Sequence, residues 1–312
     1  MLTLMTMALA NEIPDLGDII PMDPTTVIPP PGACDKYLTD QLKAGLHDLD
    51  SQARAAMTNF SDEQEKVAGA ELAAELERTE LAGKLNPQDP WQGYLEEVLA
   101  EVLKSTPTPR FNYTITFVDD PTENAFALPG GHLYFYRGIL EKVLKNEAQL
   151  AVVIGHEVGH VELYHCAALF QYMSEFPMFA NDLAAIGLSM ARHTFSSTQE
   201  LDSDRFGLAI AHSAHYDGAQ AELLWEGWGS PPSEPVLPIL GVPVPDLGGL
   251  PIPVDILAEV ENMTISHPSH EARACVARET YSVVGQRYPV QNAYVGERNY
   301  TEKVSRARKR YQ

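Results

Sequence analysis

The chain of 312 residues is 45% hydrophobic, long enough to bury the core of one domain with helical additions. Its formal net charge of −21 excludes nucleic acid as the expected partner, because an acidic surface repels phosphates. It holds no apolar run of the ~18 residues that a membrane-spanning helix needs.

Residues 1–10, MLTLMTMALA, are apolar, and Ala8-Leu9-Ala10 fits a signal-peptidase site, although the basic start of such a leader is missing. They read as the remnant of an export signal, which places the protein in the bacterial periplasm or outside the cell. Residues 11–34 carry six prolines and read as a linker or extended wrap. Residues 35–110 read as a helical N-terminal part packed on the catalytic unit. Within it, Ser61 before Asp62 and Glu63 is an N-cap with an acidic first turn.

The catalytic unit spans 111–285. FNYTITFV (111–118) alternates apolar and polar residues and reads as a strand. LYFYR (133–137) reads as another, entered through the tight turn Pro129-Gly130-Gly131. An edge strand here could take a substrate as one more strand through main-chain hydrogen bonds, anchored at Asn124 and Ala125. Asn124 reads equally well as a turn residue. His132 reads as a satisfied strand histidine, off any metal.

A helix is expected from Ala148 to about Leu169, carrying HEVGH at 156–160. On it, His156 and His160 lie one turn and about 40° apart, so both imidazoles can reach one ion. Glu157 is displaced around the helix from each histidine. Two neutral nitrogen donors, an open position for water and a carboxylate to take its proton are what a zinc hydrolase needs. A third protein ligand is required. Zincins that place a third histidine ten residues after the first, beyond a glycine, are excluded, because Leu163 and Cys166 occupy those positions. The alternative is Glu200 on a second helix, TQELDSDRFGLAIAHSAH, whose apolar positions Leu201, Phe206, Leu208, Ala209 and Ile210 mark a buried face. Asp204, one turn on, would accept a hydrogen bond from the far nitrogen of a ligating histidine and fix its tautomer. From these residues alone, Glu200 fits equally a solvated acidic face shared with Asp202 and Asp204.

The stretch 230–254 is rich in proline, with eight between 231 and 253, and reads either as a flap over the cleft or as a surface insertion. His270 reads as a surface residue. Residues 286–312 read as a C-terminal tail whose Lys303, Arg306, Arg308, Lys309 and Arg310 are solvated on a helix. Of three cysteines, Cys166 is expected to be buried, Cys34 and Cys275 are able to pair in an oxidising compartment or to stay apart, and none has metal-site spacing. The fold class is α+β, mostly helical, with an HExxH helix, a glutamate-bearing helix and a small sheet.

Four blocks, NAFALPGGHLYFYRGIL, HEVGHVELYH, ELDSDRFG and SHPSHEAR, follow in this order. Together they resemble the zinc metalloproteases of the gluzincin type that include the CAAX prenyl protease and soluble bacterial envelope proteases. The similarity points most to the periplasmic branch linked to quality control of outer-membrane proteins, over about residues 60–285. The resemblance implies a zincin-like domain with one Zn2+ per chain on His156, His160 and Glu200. It implies Glu157 as general base and Asp204 as the acid behind the ligands, with Arg273 as a basic residue on the following helix. His165 matches a histidine that often ends the metal helix, where a cap on the negative end of the helix is the simplest account. His267 matches a histidine that lies near the metal in some soluble relatives, as a plug or as a donor to the transition state. It also fits a cap for the helix beginning near Pro268. The implied activity is zinc-dependent endoproteolysis of unfolded or misassembled envelope proteins. The alternative is a latent or non-catalytic zinc protein that binds clients, with His267 plugging the metal.

Overall fold

A computed structural model describes residues 34, 61–106, 108–175, 183, 186, 195, 197–228, 269–309 and 311. The export-signal reading, the 230–254 insertion and His267 lie outside the described residues.

Helix α1 (Asp62–Arg78) begins at a capping box in which Ser61 and Gln64 satisfy each other's backbone N–H groups. It buries Leu72, Ala73 and Leu76, and Gly69 presses on the turn at Pro129, where a Cβ would lie 1.9 Å from the Pro129 carbonyl oxygen. Helix α2 (Pro90–Leu103) is capped by Asp89, with Pro90 in the first turn, and buries Trp91, Tyr94, Leu95, Val98, Leu99 and Val102 at helical spacing.

Three strands follow: β1 (Thr114–Val118), β2 (Ala125–Leu128) and β3 (His132–Tyr136). Their order is β1-β3-β2, with β3 parallel to β1 and antiparallel to β2. The turn between β2 and β3 carries Gly130 at φ 75° and Gly131 at φ 87°, the left-handed region that a side chain disfavours. Strand β2 is therefore an edge strand among the described residues.

Helix α3 (Glu147–Glu162) crosses behind the sheet and packs on β2. Every residue from Glu147 to Val161 is buried, so this helix is the centre of the core rather than a surface element. It stops well short of Leu169. Leu163 caps it, Tyr164 takes a left-handed φ of 65°, and a new helix, α4 (His165–Glu175), sets off in another direction. A left-handed tyrosine costs on the order of 1–2 kcal/mol, and neighbouring contacts hold it there. The Arg110 guanidinium lies 3.6 Å from the Tyr164 ring centroid and donates to the Val161 carbonyl at 2.7 Å. The end of α3 is thus capped by Arg110. His165 opens the next helix rather than ending α3.

Helix α5 (Ser197–Ser213) lies along α3, and α7 (His270–Arg287) packs on α5 and α6 (Ala219–Gly227). The segment around α8 (Glu297–Glu302) is not a solvated tail. Val295 and Gly296 offer carbonyls to the N–H groups of Ala148 and Glu147 at the start of α3. Arg306 is 4% exposed, 3.7 Å from the Tyr216 ring centroid, and donates to the Ala214 carbonyl. Arg308 and Lys309 are exposed as expected, whereas Arg306 reads as solvated only because its charge is visible in sequence and its aromatic seat is not. Cys34 and Cys275 form a disulfide, while Cys166 is a buried thiol.

Candidate metal centre

Helices α3 and α5 meet with almost no side chain between them. A Cβ on Gly155 would lie 2.8 Å from the Gly207 Cα, and one on Gly159 would lie 3.3 Å from the Ser203 Cα. The glycines let the two backbones touch, and that contact lays the first turns of α5 across the histidines of α3. The sequence reading missed this pair of small residues four apart on the metal-bearing helix, although Gly155 and Gly159 were visible as such.

The result is a cluster of three side chains. Ligand atoms of His156, His160 and Glu200 all lie within 4.8 Å of one another. The two Nε2 atoms are 3.0 Å apart, and Glu200 oxygens lie 3.6 Å from His156 Nε2 and 3.7 Å from His160 Nε2. A tetrahedral ion with bonds of about 2.0–2.1 Å needs its ligands roughly 3.3 Å apart, so the set fits one small divalent cation. Glu200 is 2% exposed and Asp204 3%, so neither belongs to a solvated acidic face. Asp202, between them, pairs with Arg205 at 2.9 Å.

Behind the ligands, His156 Nδ1 is 2.9 Å from Asp204 Oδ1. Asp204 there accepts a hydrogen bond from Nδ1–H, which in the neutral ring leaves Nε2 bare. Arg273 forks onto Asp204, with Nε 2.8 Å from Oδ2 and Nη2 2.6 Å from Oδ1, and approaches Glu200 at 3.6 Å. Its guanidinium stacks 3.5 Å from the Trp225 ring centroid, and Trp225 also stands edge-on to His156. The second ligand histidine is clasped differently. The Phe195 ring stacks on His160 at 3.8 Å, and His165 Nδ1 lies 3.1 Å from His160 Nδ1. Neither Trp225 nor Phe195 carries a sequence signal that would separate it from ordinary core aromatics.

Electrostatics follow from this burial. Desolvation alone would raise the Asp204 carboxyl, but the Arg273 fork and His156 overcome it and hold Asp204 below its usual range. Burial would depress the His156 imidazolium, and its bond to Asp204 more than compensates. Burial and then the neighbouring His156 push His160 well below its usual range, so it is a neutral donor. Glu157, also buried, is pushed up to about 7, chiefly by desolvation.

The remaining expected residues are placed as follows. Asn124 gives its carbonyl to Tyr136 N–H at 3.1 Å, and Ala125 stands opposite Phe135. In this register the N–H and C=O of Ala125 and Ala127 turn away from β3. On that open side Cys166 Sγ donates to the Ala127 carbonyl at 3.6 Å. His132 meets the Thr114 hydroxyl at 3.1 Å, outside the metal cluster. His270 is half-buried, its ring 5.9 Å from Trp228, rather than a free surface residue.

Residues 90–281 match the family described as Peptidase family M48. The match begins at Pro90, so α2 falls within it. The chain is similar to the mitochondrial metalloendopeptidase OMA1 of Arabidopsis thaliana, 34% identical over 130 residues, which are 38% of this chain and 26% of that one. It is also similar to the mitochondrial metalloendopeptidase OMA1 of Schizosaccharomyces pombe, 29% identical over 145 residues, 43% of this chain and 42% of that one. A Vibrio cholerae chain provisionally assigned as a beta-barrel assembly-enhancing protease is 25% identical over 145 residues, 40% of this chain and 30% of that one. These matches cover between about a quarter and two fifths of the length of the curated relatives. No helix of the described residues is long and apolar enough to cross a membrane. Since the family match takes in more than half of the chain and contains both histidines and Glu200, the chain belongs to peptidase family M48.

Proposed function

We propose that the chain is a zinc-dependent endopeptidase in which His156, His160 and Glu200 hold one Zn2+ and Glu157 is the general base. The observation that carries this reading is the convergence of two imidazole nitrogens and a carboxylate within 4.8 Å in a buried site. A bound zinc ion would supply Lewis acidity toward a water and a peptide carbonyl. Glu157 takes a proton from the attacking water and returns it to the leaving nitrogen. A carboxyl near neutrality suits both halves of that task. Asp204 holds His156 with its Nδ1 proton outward, and Arg273 holds Asp204.

The substrate chain lies along β2, pairing with the outward main-chain groups of Ala125, and Asn124 fixes the start of that strand. Such pairing reads backbone rather than side chains, which suits unfolded segments. We assign the clients to unfolded or misassembled envelope proteins, and the location to the periplasm or beyond. The bacterial relative and the Cys34–Cys275 disulfide, a bond favoured in oxidising compartments, support that assignment. Residues 111–285 are proposed as the body of the peptidase unit, with α1 and α2 packed on it. His267 is proposed as a further donor to the reacting carbonyl oxygen.

Glu157→Gln tests the mechanism. The variant should keep zinc at wild-type stoichiometry and lose about 10²–10⁴-fold in cleavage of an unfolded protein such as casein. Cleavage at the wild-type rate would remove Glu157 from the chemistry.

A further inference from the structure

We propose that His165 is a positioning residue for His160: it accepts a hydrogen bond from His160 Nδ1–H and so leaves the Nε2 lone pair available to a metal ion. This rests on the reading of His160 as a metal ligand.

The two Nδ1 atoms are 3.1 Å apart, and both rings are buried. A single proton between them belongs to one ring or the other. If His165 owned it, the His160 proton would sit on Nε2 and point into the cluster, 3.0 Å from His156 Nε2, and His160 could not ligate. If His160 owns it, Nε2 is bare and faces the same point as Glu200. Ser203 Oγ also lies near His165 Nδ1, at 3.3 Å, a longer contact than the 3.1 Å to His160 Nδ1. The two ligand histidines are thus fixed by different partners from two directions. Asp204 on α5 serves His156, and His165 on α4 serves His160. Phe195 covers one face of the His160 ring, with planes 20° apart, so the ring cannot swing to another acceptor without losing that stack.

The backbone is built for this contact. On an unbroken helix a residue five places on would stand about 140° around the axis, out of reach. The break at Leu163 and the left-handed Tyr164 turn the chain back, and His165 is carried beneath His160. Arg110 pins the break by lying over Tyr164 while bonding the Val161 carbonyl.

Three variants of the full chain decide the matter: His165→Phe, His165→Asn and His165→Gln. Zinc affinity is read by chelator competition, the ligand field by the visible spectrum of the cobalt-substituted protein, and folding by thermal unfolding of the metal-free form. The asparagine Oδ1 stands where Nδ1 stood, so His165→Asn should bind zinc close to wild type with an unchanged cobalt spectrum. Phe has no acceptor and the Gln amide reaches past the Nδ1 position, so both should lose about 10- to 100-fold in affinity. Wild-type affinity in His165→Phe overturns the proposal, as does rescue by Gln equal to that by Asn. If His165→Phe fails to fold, the difference between Asn and Gln decides alone. A wild-type chain that takes up no zinc or cobalt overturns the metal reading itself, an outcome distinct from a wild type that binds while His165→Phe binds equally well.

Discussion

Gly207 touches the peptide of His156: a Cβ built on Gly207 would lie 2.5 Å from the His156 backbone nitrogen and 2.8 Å from the Val152 carbonyl. Both obstacles are backbone, so a methyl group there must push α5 off α3. Gly207→Ala should therefore destabilise the fold by about 1–3 kcal/mol and lower metal affinity by moving Glu200 from the histidines. Gly93, inside α2 with nothing within 4 Å of its Cβ position, is the control. Gly93→Ala should stabilise by about 0.5–1 kcal/mol and leave metal binding alone. Chemical unfolding and chelator competition on both variants check this, and equal behaviour of the two would contradict it.

Asp204 balances the buried charge of Arg273 and orients His156. Asp204→Asn preserves size but removes the anion. The uncompensated guanidinium should cost about 3–5 kcal/mol, and zinc affinity should fall about 10- to 100-fold. Paired measurement of unfolding free energy and metal affinity tests both effects. A variant that loses neither would show that the fork is ornamental.

Ala125 presents its N–H on the open side of β2. Ala125→Pro removes that donor without a clash against β3, because the lost group is not in the ladder. One main-chain hydrogen bond to substrate is worth about 0.5–1.5 kcal/mol, so kcat/KM on an unfolded protein should fall roughly 2- to 12-fold with folding and metal content unchanged. An unaltered kcat/KM would place the substrate elsewhere.

Glu147 sits under the start of α3, accepting from Tyr94 and Tyr216 hydroxyls at 3.0 Å each. Burial raises its carboxyl above the ordinary 4.5 in spite of these bonds and the Arg306 backbone. A raised carboxyl stabilises the fold fully below its unfolded value, and that contribution is lost as pH rises through the folded value. The stability of wild type relative to Glu147→Gln should therefore be greatest below pH 4.5 and decline upward from there. Urea unfolding of both proteins at several pH values reads the difference directly. A constant difference would refute it.

Local pattern carried much of this protein. The N-cap at Ser61, the HEVGH spacing and the apolar face of the Glu200 helix are short-range features, legible because neighbours in sequence set them. The end of α3 was not legible in the same way. Nothing in VELYHC announces a left-handed tyrosine, because Arg110, 54 residues upstream of Tyr164, is what holds it. Among the basic residues near the C-terminus, Arg306 misled for a related reason. A charge reads as solvated until its seat is known, and the rings beneath Arg306 come from Tyr216 and Tyr294.

By itself, then, the sequence determined which side chains are chemically able to hold an ion, through residue type and helical period. Only the tertiary structure decided that Glu200 is buried against them, that His165 faces His160 and that Arg273 clamps Asp204. Those meetings span tens of residues and depend on two helices approaching at bare glycines, a close contact between distant segments that helical period does not encode.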